Sequence, residues 1–125
     1  MGSPVKVDFK KKCACKGSNL DRFIQPIILL ILYSQECTGY SIIKQMGEYA
    51  MFRGGKPDAT GVYRYLKLME ERGLIASKLY NSEQKEIRKY AITGEGTECL
   101  NNWRRTLLEY RAAINELIGE MEGIF

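Results

Sequence analysis

Apolar and polar positions along this chain form a series of helical patterns, broken by one strand-like segment. The first pattern, Leu20 to Tyr33, reads LDRFIQPIILLILY and leaves little polar surface after Gln25. A helix apolar all round is buried on more than one side, so this one should pack on its own core and on another subunit. Ser18 or Asn19 can cap it. Pro26 falls inside it and predicts either a position in an early turn or a kink. The isoleucine-rich run also permits a strand, a weaker reading because no turn follows until Ser34. Ser34 to Gly39 reads as a connector, with Thr38 as N-cap of a second helix from Tyr40 to about Ala50. In that helix Ile42, Ile43, Met46 and Ala50 should face inward, and Lys44, Gln45 and Glu48 outward. Gly54-Gly55 and Pro57 mark Phe52 to Lys56 as a loop.

The segment from Pro57 to Ile75, PDATGVYRYLKLMEERGLI, can be read with no knowledge of the rest. Asp58 suits an N-cap, because its carboxylate can accept from free amides of the first turn. Val62, Leu66 and Met69 recur at helical spacing and mark one apolar face. Thr60, Tyr63, Arg64 and Lys67 lie on the other side. Arg72 followed by Gly73 is the order expected at a helix C-terminus, a cation in the last turn and a glycine just beyond. The outward face thus carries a hydroxyl, a phenol and two cations, the groups that major-groove readers present to base edges and phosphates. A solvated surface helix would carry similar residues.

After Gly73 the period changes. Leu74–Tyr80 and Glu86–Ile92 read as two strands around the polar turn Asn81 to Gln84, a β-hairpin, with Arg88, Tyr90 and Ile92 on one face. Its tip and return strand carry Lys85, Arg88 and Lys89. Thr93 then offers an N-cap, with Glu95 in the first turn to favour the helix dipole. Beyond it Leu100, Trp103, Leu107, Tyr110, Ile114, Leu117 and Met121 alternate steps of three and four, a heptad seam. Leu108, Ile118 and Ile124 widen the stripe. A stripe of this length at the end of a small domain needs a partner: the first helix, another subunit, or both. With Phe23 and Ile27 on the first helix, these residues are the candidate dimer contacts.

Composition narrows the class. At 125 residues, 45% hydrophobic and 27% charged, the chain suits one soluble domain with a real core. Its longest apolar run is too short to span a membrane. It begins Met-Gly-Ser without an apolar signal core, so a cytoplasmic location is expected. The net charge of +4 is unevenly spread: residues 53–92 carry nine Lys/Arg against five Asp/Glu, whereas residues 93–125 carry three against six. A positive middle suggests contact with a polyanion there and another task for the tail.

The chain has four cysteines and no histidine. Cys13-Ala-Cys15 supplies two thiols where a tight metal site needs three or four ligands. A site would have to recruit Cys37, Cys99, a carboxylate or a partner chain. The plainer reading is a basic N-terminal arm, behind Lys10, Lys11 and Lys12, that contains two thiols, and no metal or cofactor is expected. There is no phosphate-binding glycine loop, since Gly54-Gly55 lacks the pattern that must follow. There is no nucleophile–base pair at a recognisable spacing. Enzyme activity is therefore not expected.

Three helices, a hairpin and a long helix, with the second and third helices joined by a loop, define a winged helix-turn-helix. The third helix would enter the major groove. Tyr40, Ser41 and Lys44 of the second helix would meet DNA backbone. Lys85, Arg88 and Lys89 would neutralise phosphates from the wing.

From about Ile28 to Leu100 the residues resemble the PadR family of bacterial transcriptional regulators, particularly its shorter members. Thr38-Gly39-Tyr40-Ser41-Ile42-Ile43 is similar to the family's "HGYEII", with Thr38 in place of the usual histidine. Thr60 to Ile75, TGVYRYLKLMEERGLI, resembles "GTLYRALKRLEEEGLI". Arg88 to Thr93 is similar to "RKYYRLT", and Thr93-Gly94-Glu95-Gly96 to "TEAG". The Cys13-Ala-Cys15 arm is outside the general pattern. The resemblance implies a homodimeric repressor, paired through its C-terminal helix with help from the first. It also implies a small aromatic or drug-like effector in some members, where an aromatic residue of the C-terminal helix lines a cavity at the dimer interface. Trp103 is on the right helix but about one turn nearer its start than the tryptophan associated with that cavity. A core or interface role at its heptad position is the plainer reading.

The expectation is a mainly α protein with a small β-hairpin. It has a basic arm over residues 1–17, a winged helix-turn-helix over 18–93 and a dimerisation helix over 94–125. It should be a DNA-binding regulator, probing a pseudo-palindromic operator as a homodimer and released by an effector. The alternative is a winged-helix ligand-binding or protein-interaction module without specific DNA binding. Thr, Tyr, Arg and Lys on the third helix favour DNA.

Overall fold

Helix α1 (Ile24–Ser34) occupies the centre of the fold and packs against every other layer. The computed structural model describes residues 23–52, 57–83 and 85–125. The arm predicted over residues 1–17, the cap at Ser18 or Asn19, the start of the first helix at Leu20 and the Gly54-Gly55 loop lie outside the described residues. Within α1, Ile24, Pro26, Ile27, Ile28, Leu29, Ile31 and Leu32 are buried. Each fully buried Ile or Leu contributes about 1.5–3 kcal/mol relative to exposure. Pro26 sits in the first turn, where its missing N–H has no intrahelical partner to lose. Of the two readings of Pro26, the early-turn one holds. Leu30 and Tyr33 project outward.

The connector after α1 carries structure that its sequence did not suggest. Cys37–Thr38 is a short strand, β1, paired antiparallel with the hairpin, Cys37 against Tyr90 and Thr38 against Lys89. Two residues are too few for any alternation to show, and their partner lies some fifty positions downstream. Thr38 also caps helix α2 (Gly39–Met46), its Oγ1 accepting from the Ser41 N–H at 3.1 Å. The helix ends four residues before the predicted Ala50. Glu48 and Tyr49 donate three residues back, to Gln45 and Met46, and a 3₁₀ turn follows at Ala50–Phe52. That tightening takes the chain off the 3.6-residue period. Ala50, expected inward, is exposed, while Tyr49 and Phe52 pack against the core instead.

Helix α3 (Ala59–Glu71) matches its prediction at both ends. The Asp58 carboxylate accepts from the Gly61 N–H at 3.0 Å. At the other end Gly73 adopts φ +79°. Its N–H donates to Glu70 O, and Leu74 N–H reaches back to Met69 O, both at 3.0 Å. These are the paired bonds of a glycine-terminated Schellman helix end. Val62, Leu66 and Met69 are fully buried.

Strands β2 (Ile75–Ser82) and β3 (Lys85–Ile92) form the hairpin, and the sheet order is β1-β3-β2. The register runs from Ile75 opposite Ile92 to Ser82 opposite Lys85, so the ladder extends into the segment expected as turn. Near its tip both faces meet water, and no apolar alternation marks those residues as strand. Helix α4 (Gly94–Glu122) has 29 residues, about 44 Å at 1.5 Å per residue. Thr93 caps it, its Oγ1 accepting from the Gly96 N–H at 3.0 Å. Cys99, Leu100 and Trp103 pack on the core. Beyond them the helix leaves the body: Tyr110, Ile114, Leu117 and Met121 are all about half exposed.

Candidate nucleic-acid interface

Helix α3 divides its residues between two tasks. Val62, Leu66 and Met69 fix it to the core. Thr60, Tyr63, Arg64 and Lys67, half a turn away, are all exposed on one outward face. The predicted reading residues are thus brought together, on a helix capped at both ends.

Tyr63 is positioned from beneath by Gly39, the first residue of α2. A Cβ on Gly39 would lie 2.5 Å from Tyr63 Cε1 and 2.8 Å from its hydroxyl. The glycine lets the ring lie on the backbone where α2 meets α3. On α2 itself, Tyr40 is 73% exposed and Lys44 is exposed. Ser41 is only half exposed: its N–H donates to Thr38, and its hydroxyl accepts from Gln45 Nε2 at 3.0 Å.

The three predicted wing cations fall into different surroundings. Lys85 closes the hairpin ladder at its tip and is exposed. Lys89, on the same face by the two-residue period, lies at the wing base between β1 and β2. Its Nζ is 5.2 Å from the centre of the Tyr80 ring, a cation–π distance. Tyr80 in turn donates to Glu36 Oε1 at 3.1 Å, and that bond holds the phenol proton above its usual range. Arg88 is on the opposite face. Its Nη1 donates to Ser77 Oγ at 2.7 Å, and Ser77 donates to Glu70 Oε2 at 2.7 Å. Tyr90 is next on that face, and burial pushes its phenol up against the opposing effect of Arg88. The sequence reading missed Ser77 and Glu70. The available signal was a hydroxyl at Ser77 on the strand face that also carries Ile75.

A second feature is an apolar groove of about 1050 Å³ between α1, the 3₁₀ turn and α4. Leu30 and Tyr33 of α1 and Trp103 and Leu107 of α4 are among its walls. Of the predicted self-association residues, Ile27 is already buried by its own chain, at 7% exposure. Phe23, Leu100, Trp103 and Leu107 are partly covered. Leu30 and Tyr33, not singled out from the sequence, are the α1 side chains that present apolar surface, at 47% and 61% exposure. Among the described residues, no group of three or more His, Cys, Asp or Glu is placed to hold a metal, and no helix is long and apolar enough to cross a membrane.

A three-stranded sheet that carries a hairpin wing, a doubly capped helix with an outward polar face and a long trailing helix define a winged helix-turn-helix protein of the regulator type. The model of the transcriptional regulator PadR-like family matches residues 28–102. The chain belongs to that family, which consists of transcriptional regulators rather than enzymes. No curated protein matches. Among solved structures, the chain is similar to a PadR family transcription regulator from hypervirulent Clostridium difficile R20291. Identity there is 28% and the TM-score 0.67, over 77% of this chain and 98% of that one. A PadR family regulator from Eggerthella lenta shares the fold at 20% identity and TM-score 0.69, over 88% of this chain and 95% of that one. Bacillus subtilis PadR, solved in complex with operator DNA, matches at 25% identity and TM-score 0.58, over 66% of this chain and 46% of that one.

Proposed function

We propose that this regulator is a sequence-specific DNA-binding protein that acts as a homodimer on a pseudo-palindromic operator. One observation carries the reading: Thr60, Tyr63, Arg64 and Lys67 share the solvent face of a helix whose opposite face is fully buried. Such a helix is rigidly presented, and its free groups are donors and cations suited to base edges and phosphates. The operator complex of Bacillus subtilis PadR supports the same use of the fold. Tyr40, Ser41 and Lys44 would meet backbone from α2, and Lys85 and Lys89 would do so from the wing. In this reading residues 18–93 read DNA, and residues 94–125 pair two copies through Tyr110, Ile114, Leu117 and Met121. Paired copies reading successive major grooves would hold their α3 helices about 34 Å apart. Repression relieved by a small aromatic or drug-like molecule at the Trp103-lined groove completes the proposal.

The test begins with selection of bound DNA from a random pool, with and without candidate aromatic ligands, followed by titration of the selected site. Arg64→Ala should weaken that site by about 1–3 kcal/mol, roughly 5- to 150-fold, if Arg64 reads a guanine. Unaltered binding by Arg64→Ala would withdraw the base-reading assignment. A pool that yields no enriched sequence would favour a ligand-binding or protein-interaction module instead.

A further inference from the structure

The wing leaves the body of the protein as a two-stranded ribbon. Beyond the Ser77–Tyr90 pair its side chains are mostly exposed: Leu79 is 50% and Tyr80 38% exposed, and Asn81, Ser82 and Lys85 are exposed. An isolated two-stranded hairpin is marginal in water. Its other ties there, Thr38 against Lys89 and Tyr80 to Glu36, reach β1 and the connector before it rather than α3, so packing does little to set the angle between this ribbon and α3. At the point where the ribbon emerges, three polar side chains join end to end. Arg88 of β3 donates to the Ser77 hydroxyl of β2, and that hydroxyl donates to Glu70 in the last turn of α3, each over 2.7 Å. The chain spans both strands and the candidate reading helix.

We propose that Arg88, Ser77 and Glu70 form a brace that fixes the tilt of the wing against α3, so that Arg88 is a positioning residue rather than a phosphate contact. The role of the brace in DNA binding rests on the reading proposed above. Both ends of the chain are charged, and the hydroxyl between them donates to one and accepts from the other, so each bond is charge-assisted. The pairs are exposed and add little to global stability. Their effect is on geometry. From Ser77 to Ser82 the strand runs about 17 Å, so a tilt of about 10° at the brace moves the tip by about 3 Å. That is enough to take Lys85 out of reach of a phosphate oxygen.

The informative substitution is Ser77→Ala, because it changes no charge and removes the central link. In the free full-length protein, NMR relaxation should show greater motion of the amides of residues 79–82 and 85–87, with those of α3 unchanged. On the selected operator, Ser77→Ala should lower affinity by threefold or more. It should also reduce the slope of log affinity against log salt by about one unit, the change expected of Lys85→Ala. The double variant Ser77→Ala/Lys85→Ala should bind no worse than Lys85→Ala, since both remove the same contact. Wing amides as rigid in Ser77→Ala as in the parent would overturn the brace. So would a salt slope that falls only with Arg88→Ala and not with Ser77→Ala, which would make Arg88 a direct contact. If the parent chain selects no DNA, the binding proposal fails, and the relaxation measurement still decides the brace.

Discussion

Single atoms decide the most at Gly39. Its missing side chain is the space that the Tyr63 ring occupies, and the contact is with the far end of that ring. A methyl group there would meet a movable side chain rather than backbone. Gly39→Ala should therefore leave the fold intact and turn Tyr63 away from the face it shares with Arg64. The expected outcome is a melting temperature close to the parent's with operator affinity lower by about 1 kcal/mol. The loss should vanish in a Tyr63→Ala background. Thermal melts with operator titrations check both, and an affinity unchanged by Gly39→Ala would remove Tyr63 from the reading face. The same residue shows the limits of reading a sequence. Gly39 was legible as the glycine in second place of a family motif, but its contact with a side chain twenty-four positions away was not.

Among the elements, those with a local code were legible, and those defined by distant partners were not. Helix α3 was readable to its caps because Asp58, the Val62–Leu66–Met69 face and Gly73 are all signals within a few residues of one another. Strand β1 was not, because its identity as strand comes wholly from β3. The outer wing was underestimated for a related reason. Asn81 and Ser82 look like turn residues, and only the cross-strand register makes them strand. Helix α4 was legible in its heptads but not in its anchorage. A Cβ on Gly96 would lie 2.1 Å from the Leu74 carbonyl oxygen and 2.7 Å from Ile92 Cγ1. Backbone cannot step aside as a tyrosine tip can. Gly96→Ala should cost about 1–3 kcal/mol or more by overpacking. Gly94→Ala, with open space around it, should be neutral or slightly stabilising. Chemical denaturation of the pair measures the difference, and equal stability would mean that α4 is not held at Gly96.

At the scale of the whole molecule, the described residues form two apolar zones of different character. One is the closed core around α1, complete within a single chain. The other runs along the far half of α4 and the groove beside it, open among the described residues and matched to a second copy in the proposed dimer. Leu117 belongs to the second zone alone, at 56% exposure. Leu117→Glu should spare the fold of residues 23–92, as judged by circular dichroism, and shift the sedimentation coefficient from dimer to monomer. Operator binding should then weaken roughly tenfold or more, because the second half-site is no longer tethered to the first. A variant that still sediments as the parent does would exclude this stretch from the pairing surface.

In the proposed dimer, the open stripe on α4 would also tie the behaviour of this chain to its own abundance. Where pairing covers surface that a lone chain leaves wet, mass action makes the paired form more stable as concentration rises. Below the dissociation constant of the pair, the concentration of paired chains grows with the square of total chain. Occupancy of a two-fold site would then rise more steeply than the amount of protein made. A twofold drop in synthesis would cut the paired form about fourfold in that regime. The length of one exposed helix would thus set how sharply this regulator responds to its own dilution.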